Sequence, residues 1–470
     1  MKTTISPEEI RRQKQIMQSV HSLNEGKGLK AFVETYGCQQ NVSDSETIMG
    51  MLVNMGYTPT EDKESADFII YNTCAVRENA ELKVYGNLGA LKHLKARKPN
   101  VILAVCGCMM QQEAVKEEIR RKYKHIDMVF GTHSLYRFPE LLSRVITESA
   151  RVFDVEDSSG AIAEGLPAEK AEGPCAWVSV MYGCNNFCSY CIVPYVRGRE
   201  RSRDKEDILS EVRRCVQNGA KEVTLLGQNV NSYGNDLDED IDFADLLTLV
   251  CAVDGIERVR FMTSHPKDIS DKLIDTMARE DKICKQLHLP IQAGNDRVLA
   301  AMNRKYTRAS YMQKIEKIKQ KMPDIALTTD IIVGFPGETN EEFLDTLTVL
   351  REVRYDTIFS FIYSKRPGTP AAKMEDVITP EDKKRNFDKL LEVQDAISKE
   401  KNLALLGKTV KVLTEGVSKN NPNALMGRTE GGKTVNFEGD RSLIGNFVYV
   451  EITDAKTWSL TGKVTGEINE

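Results

Sequence analysis

Residues 176–191 read AWVSVMYGCNNFCSYC, an apolar run closed by a glycine and followed at once by three cysteines within eight positions. A short apolar run bounded by glycine reads as a buried strand. Thiols that begin where such a strand ends lie at its carboxyl edge, where ligand sites collect in parallel α/β sheets. The same unit recurs towards the C-terminus. EVTLLGQ (222–228), RVRFMTS (258–264), QLHLPIQ (286–292), LTTDIIVGF (327–335) and TIFSFIYS (357–364) are further candidate strands, separated by helical stretches. The six strand–helix units between residues 175 and 402 predict an open, partial (β/α)6 barrel with its site at the strand carboxyl ends.

Towards the N-terminus the alternation resumes with AFVETYG (31–37), ADFIIYN (66–72), VILAVCG (101–107) and IDMVF (126–130). Strand and helix alternating over 31–150 predict a doubly wound parallel-sheet domain. Its first helix is expected from Ser43, which has capping-box spacing to Glu46. Residues 1–30 are polar and read as a frayed helical arm without chemistry. Residues 151–174, rich in Gly, Ala, Pro and acid, read as a linker. From residue 403 to 470 the helices stop, and short β-rich runs (KTVKVLTEG, FVYVEITDA, SLTGKVTG) between Gly and Asn turns predict a small five-stranded all-β barrel.

The 470 residues agree with about three domains. Lys plus Arg number 64 against 69 Asp plus Glu, a net charge of −5, which excludes a broadly basic nucleic-acid coat but not a local basic patch. No apolar run is long enough to span a membrane, and the first thirty residues lack a signal-peptide core. The expected location is the cytoplasm, where clustered cysteines point to metal or redox chemistry rather than disulfides.

Cys184, Cys188 and Cys191 form a CxxxCxxC spacing. Three thiolates on one loop can hold three irons of a cubane cluster, and the missing fourth leaves one iron open. A structural zinc site would ask for two pairs of ligands, and no matching second pair follows. Cys38, Cys74 and Cys108 are far apart, but each falls just past one of the first three predicted strands. They are expected to converge as a second cluster site. Cys106 alternates with Ala104 and Ile102 and is expected inside its strand. Gly334 and Gly337, in IIVGFPGE (331–338), permit close backbone approach to a ligand. The amides of Gln228, Asn229 and Gln292, at the ends of two other strands, can bond hydroxyls or the polar end of an amino acid. Arg197, Arg199, Arg201 and Arg203 recur at every second position and read as a focused phosphate patch for RNA. In the nearly charge-balanced tail, Phe437, Phe447 and Trp458 could stack bases or fill the core.

CxxxCxxC with an aromatic (Tyr190) before the last cysteine resembles the radical SAM enzymes. That resemblance implies S-adenosylmethionine on the open iron, with Tyr190 and the segment ending at Glu338 beside it. Together with TYGCQQN, DSE, NTCAVRE, VPYVRGRERSR, LLGQNVNSYG, FMTSHPKD, HLPIQAGND and YSKRPGTPAA, the chain from about residue 30 onward resembles the methylthiotransferases. Small departures are Gln40, GCMMQ and QAGND; none removes a cysteine. The tail resembles the TRAM domain, a tRNA-binding module.

The resemblance implies two [4Fe–4S] clusters. One S-adenosylmethionine methylates a sulfur held at the N-terminal cluster, and a second supplies a radical at the barrel cluster. The implied target is carbon 2 of an N6-isopentenyladenosine 3′ of the anticodon, whose C–H bond is too strong and too weakly acidic for acid/base chemistry. The implied partners are a tRNA anticodon stem-loop, an electron donor and a sulfur source, acting on a monomer; no catalytic side chain beyond the cluster ligands is assigned. TSHPKD and RGRERSR favour this branch over relatives that modify a ribosomal-protein aspartate or threonylcarbamoyl-adenosine. A non-enzymatic metal or RNA-binding protein is the third reading.

Overall fold

The computed structural model describes residues 4–75, 78–155, 161–169, 173–419 and 421–467. They form two compact units. The first comprises Met1–Ala171, Met181–Asn185 and Cys191–Asp207; the second comprises Glu172–Val180, Asn186–Tyr190 and Ile208–Glu470.

The first unit is built on a six-stranded sheet of β1 (Lys30–Thr35), β2 (Thr58–Pro59), β3 (Phe68–Thr73), β4 (Ile102–Gly107), β5 (Met128–Phe130) and β6 (Val152–Asp154). Its order is β2-β1-β3-β4-β5-β6, and every pairing is parallel. β3 is buried along its whole length, as an interior strand covered on both faces must be. Alternation then divides the core in two. Phe68 and Ile70 pack with Ile48, Met51 and Phe138 on one face, while Ile69 and Tyr71 pack with Leu88, Leu91 and Ile119 on the other. The helices are α1 (Pro7–Asn24), α2 (Gln39–Asn54), α3 (Glu78–Arg97), α4 (Glu113–Lys122) and α5 (Phe138–Glu148), with a short α6 (Val193–Val196). The doubly wound fold is as the sequence predicts.

Three expectations need correction. The N-terminal arm is helical, as expected, but packed rather than frayed: it is α1, capped by Ser6, with Ile10, Gln13, Met17 and Val20 buried and Arg12 paired to Glu140 of α5 at 2.7 Å. Its buried positions recur every three or four residues, so one stripe of the helix packs on α5 and α2. The first helix opens at Gln39 with Cys38 as its N-cap, four residues before Ser43. Of the expected linker over 151–174, residues 156–160 and 170–172 lie outside the described residues. Val152–Asp154 is instead an edge strand, Ile162 bridges to Thr4, and Glu169 donates its N–H to the Glu46 carbonyl at 2.9 Å.

In the second unit, β7 (Cys175–Ser179), β10 (Glu222–Leu226) and β11 (Arg258–Phe261) pair in parallel, as do β12 (Gln286–His288), β13 (Ala326–Val333) and β14 (Thr357–Ile362). A parallel bridge from Val259 to Ile283 joins the two triplets into one arc. β8 (Met181–Tyr182) and β9 (Arg201–Ser202) form an antiparallel clasp in the first unit. Seven helices follow: α7 (Lys205–Gln217), α8 (Phe243–Cys251), α9 (Asp271–Arg279), α10 (Asp296–Ala301), α11 (Arg308–Lys321), α12 (Asn340–Val353) and α13 (Pro380–Leu403). This is the predicted partial barrel.

The tail closes as a five-stranded barrel of β15 (Thr409–Ser418), β16 (Asn421–Thr429), β17 (Thr434–Glu438), β18 (Phe447–Ala455) and β19 (Leu460–Glu467), in the order β15-β16-β17-β19-β18. It docks on the amino ends of the parallel strands: Arg258 donates to the carbonyls of Arg428 and Lys411, and Arg260 to those of Thr429 and Glu430. Among the described residues no helix is long and apolar enough to cross a membrane.

Candidate functional site

Three consecutive strands of the first unit each hand the chain to a cysteine. Cys38 follows β1 and caps α2, Cys74 follows β3, and Cys108 opens a 3-10 turn after β4. The parallel order β1-β3-β4 sets these ends side by side. Glycine makes the crowding possible. A Cβ on Gly37 (φ 134°) would stand 2.6 Å from Cβ of Cys74, and one on Gly107 (φ 99°) 2.4 Å from the Thr73 carbonyl.

A buried amide bridge fixes the spacing. Asn41 donates Nδ2 to the Thr73 carbonyl at 2.9 Å and to Oδ1 of Asn72 at 3.1 Å; Asn72 returns a bond to the Asn41 carbonyl at 2.8 Å. Oδ1 of Asn41 accepts from the Cys38 thiol at 3.4 Å. Cys74 and Cys108 are 2% and 4% exposed. Burial pushes the Cys108 thiol up to about 12; the neighbouring Cys74, Cys38 and Asp44 add to this, while Arg197 opposes it. The three thiols therefore stand within electrostatic reach of one another. Cys106 is buried in the core, as expected.

Arg197, at the end of α6, is 6% exposed. Its Nε donates to Sγ of Cys108 at 3.0 Å, and its Nη2 to Asp44 at 2.7 Å and Asn41 at 3.3 Å. Burial opposes its charge, but Asp44 and the thiols of Cys108 and Cys38 hold the guanidinium protonated well above its ordinary range. The arginine run is thereby corrected. Arg201 is 7% and Arg203 6% exposed; Arg201 donates to the carbonyls of Arg197 and Arg199, and Arg203 pairs with Glu164 at 2.6 Å. Only Arg199 of the four is exposed. A phosphate patch needs guanidinium groups in solvent, and three of these point inward.

The CxxxCxxC segment is held from each end. In the first unit, Cys184 donates its N–H to the Gly198 carbonyl at 3.1 Å, and Ile192 and Val196 pack against Ala75 and Cys108. In the second unit, Ser189 donates to the carbonyls of Met302 and Ala301, and Tyr190 packs with Ala293, Leu299 and Phe335. Sγ of Cys188 accepts from Nη1 of Arg304 at 3.3 Å.

The expected cofactor residues take different places. Gln292, at φ 73° and 7% exposed, bridges to Ile331 of β13. Gln228 is half-buried in the loop after β10. Asn229 donates to Asp268 at 2.8 Å and Ser232 at 3.1 Å, and among the described residues its buried Oδ1 has no hydrogen-bond partner. Glu338 turns back on its own loop and accepts from the Gly334 N–H at 2.6 Å; burial raises its carboxyl to about 7, while those backbone donors lower it. Gly334 lies under Lys383 of α13, so its close approach is to a side chain. Gly337 keeps a left-handed turn at φ 81°.

Sequence reasoning missed Asn41, Asp44, Asn72 and Arg304. The signal for the first three was TYGCQQN, DSE and NTC, but their partners lie some thirty or more residues away and emerge only from the fold. Of the three tail aromatics singled out in the sequence, Phe437 and Phe447 are buried and Trp458 is 58% exposed.

Among the described residues no three of His, Cys, Asp and Glu surround a point closely enough for a single metal ion. A cubane takes one thiolate per iron at separated corners. The donor chemistry suits it: three thiols follow neighbouring strand ends in a tight backbone cradle, three more fall within eight residues of one segment, and a guanidinium N–H meets Cys108 in one set and Cys188 in the other.

The Radical SAM superfamily pattern matches residues 178–350, Uncharacterized protein family UPF0004 matches 30–131, and the TRAM domain matches 404–465. The fold and the CxxxCxxC loop thus define a radical SAM protein. A solved structure of TsrM, a radical S-adenosylmethionine methyltransferase from Kitasatospora setae, shares this fold with a TM-score of 0.53 at 13% identity, over 73% of this chain and 74% of that one. Over its full length the chain is 56% identical to a protein of Alkaliphilus oremlandii named tRNA-2-methylthio-N(6)-dimethylallyladenosine synthase, covering 99% of each chain. It is likewise 56% identical to the Acetivibrio thermocellus protein of that name, over 98% of this chain and 97% of the other. The chain belongs to the family of tRNA-2-methylthio-N(6)-dimethylallyladenosine synthases.

Proposed function

We propose that this enzyme replaces the hydrogen on carbon 2 of an N6-isopentenyladenosine, 3′ of the tRNA anticodon, with a methylthio group. The observation that carries the reading is the pair of three-thiol sets, each at strand carboxyl ends, in a chain of this family. Cys38, Cys74 and Cys108 would hold one [4Fe–4S] cluster and Cys184, Cys188 and Cys191 the other. When bound with S-adenosylmethionine, such clusters supply a sulfur to be methylated and a carbon radical able to attack an inert C–H bond. The protein positions and shields. Asn229 Oδ1, Gln228 and Gln292 are the polar contacts proposed for S-adenosylmethionine, with Tyr190 and the 334–338 turn shaping its surroundings. Arg199 and Trp458 are proposed to meet phosphate and base of the RNA. The electron and the sulfur come from outside the chain, and the enzyme acts as a monomer in the cytoplasm.

Substrate choice is assigned to β14. Phe359 and Phe361, on one face of that strand, are 47% and 49% exposed, an apolar pair suited to a five-carbon isopentenyl chain. At about 0.8 kcal/mol per buried methylene, that chain contributes roughly 3–4 kcal/mol. An unmodified adenosine forfeits most of this, which is about two decades in kcat/KM. The charged threonylcarbamoyl group would desolvate its carboxylate without a partner. The test compares one anticodon stem-loop carrying each of the three nucleosides under identical reducing conditions. Isopentenyladenosine should react fastest by about a hundredfold; equal turnover of plain adenosine would end the assignment.

A further inference from the structure

Each thiol set has one buried guanidinium on one sulfur, and the two differ in what else surrounds the charge. Arg197 is held between Cys108 and Asp44, whose carboxylate lies 2.7 Å away. Arg304, also 6% exposed, donates Nη1 to Cys188 at 3.3 Å, Nη2 to the Pro290 carbonyl at 2.8 Å and Nε to the Tyr306 hydroxyl at 2.8 Å. The Tyr306 ring lies 5.1 Å from the guanidinium carbon. Among the described residues no carboxylate pairs with Arg304.

A buried cation is costly unless a counter-charge faces it. Arg197 has Asp44. For Arg304 the group that faces it besides backbone and hydroxyl oxygens is the sulfur of Cys188, 3.3 Å from Nη1, which supplies a counter-charge when it ligates a cluster. Hydrogen bonds to cluster sulfurs and net charge nearby are what set an iron–sulfur potential. A positive charge favours the reduced, more negative cluster.

We propose that Arg197 and Arg304 are positioning residues that hold one cysteine sulfur of each cluster and make that cluster easier to reduce, strongly for Arg304 and weakly for Arg197, because Asp44 offsets the second charge. The proposal rests on the cluster reading above. The loop geometry adds a link: Arg197 lies six residues beyond Cys191, and Ile192 and Val196 between them pack on Ala75 and Cys108. The segment that carries a thiol of one set thus delivers the guanidinium of the other.

The test is an EPR-monitored redox titration of reconstituted full-length protein in which one set has been changed to alanine, so that a single cluster is read. Wild type binding about eight irons, two four-iron clusters, checks the underlying reading by itself. With Cys38, Cys74 and Cys108 replaced, Arg304→Gln should lower the reduced-to-oxidised ratio at fixed potential at least tenfold, about 59 mV for one electron. With Cys184, Cys188 and Cys191 replaced, Arg197→Gln should lower it less than tenfold, and Asp44→Asn should raise it. That reversal of sign is not something general loosening would produce. If Arg304→Gln loses its iron, Arg304→Lys, which keeps the charge, should retain it. An unchanged ratio in iron-replete Arg304→Gln, a lowered ratio in Asp44→Asn, or iron loss in both Arg304 variants overturns the proposal.

Discussion

Cys184, Cys188 and Cys191 occupy eight consecutive positions, whereas Cys38, Cys74 and Cys108 are spread over about seventy residues, yet both sets offer the same three thiols. The first set carries its geometry in its own spacing. The second borrows it from the sheet: the order β1-β3-β4 brings those three strand ends to one edge, and the Asn41–Asn72 bridge ties the start of α2 to the end of β3. A local motif survives small disturbances of the fold, while a dispersed one inherits them.

The largest expected effects separate the two sets by their chemistry. Replacing Cys184, Cys188 and Cys191 with alanine should abolish reductive cleavage of S-adenosylmethionine and all modification. Replacing Cys38, Cys74 and Cys108 should leave 5′-deoxyadenosine formation in place and abolish methylthiolation. Loss of cleavage in that second, folded variant would erase the division of labour.

Next come changes to the scaffolding. Asn41→Ala leaves the Thr73 carbonyl and Oδ1 of Asn72 without their donor in a buried setting, so a stability loss of about 1–3 kcal/mol is expected. Iron should go from the dispersed set alone. Ser189→Ala removes one bond among several on the local loop and should cost about 0.5–1.5 kcal/mol with both sets loaded. Denaturant midpoints and iron counts check the pair, and equal sensitivity of both sets would refute the contrast.

The smallest effect concerns the arginines between the two regions. Arg199→Ala should weaken tRNA binding and reduce its salt slope by about one. Arg201→Ala should lower stability instead, because its guanidinium ties the carbonyls of Arg197 and Arg199 within the clasp. Identical salt slopes for wild type and Arg199→Ala would return that residue to ordinary surface.

How much of this is legible in the sequence follows the same contrast. The barrel and the doubly wound sheet can be read because strand alternation is a local signal, and so can the place of Cys38, Cys74 and Cys108 just past β1, β3 and β4. The N-terminal arm also reads as a helix, but the polar residues around Ile10, Gln13, Met17 and Val20 hide its burial, which is decided by α5. Three-residue β6 carries too little pattern to be seen. The arginine run misleads for a physical reason: alternate positions do share a face, but α6 and the β8–β9 clasp turn that face inward, where Asp44, Glu164, backbone carbonyls and a thiol receive it. Arg304 and Cys188 are separated by 116 positions, and no local pattern could pair them.

The central claim is that the two sets act together on one nucleoside, and mass spectrometry of tRNA nucleosides tests it most directly. Cells lacking this gene should accumulate N6-isopentenyladenosine, and the intact gene should restore the nucleoside that is heavier by a methylthio group in place of hydrogen. Either triple-alanine variant should leave the precursor unchanged. Restoration by a variant lacking one set, or a precursor pool that never depended on the gene, would contradict the account.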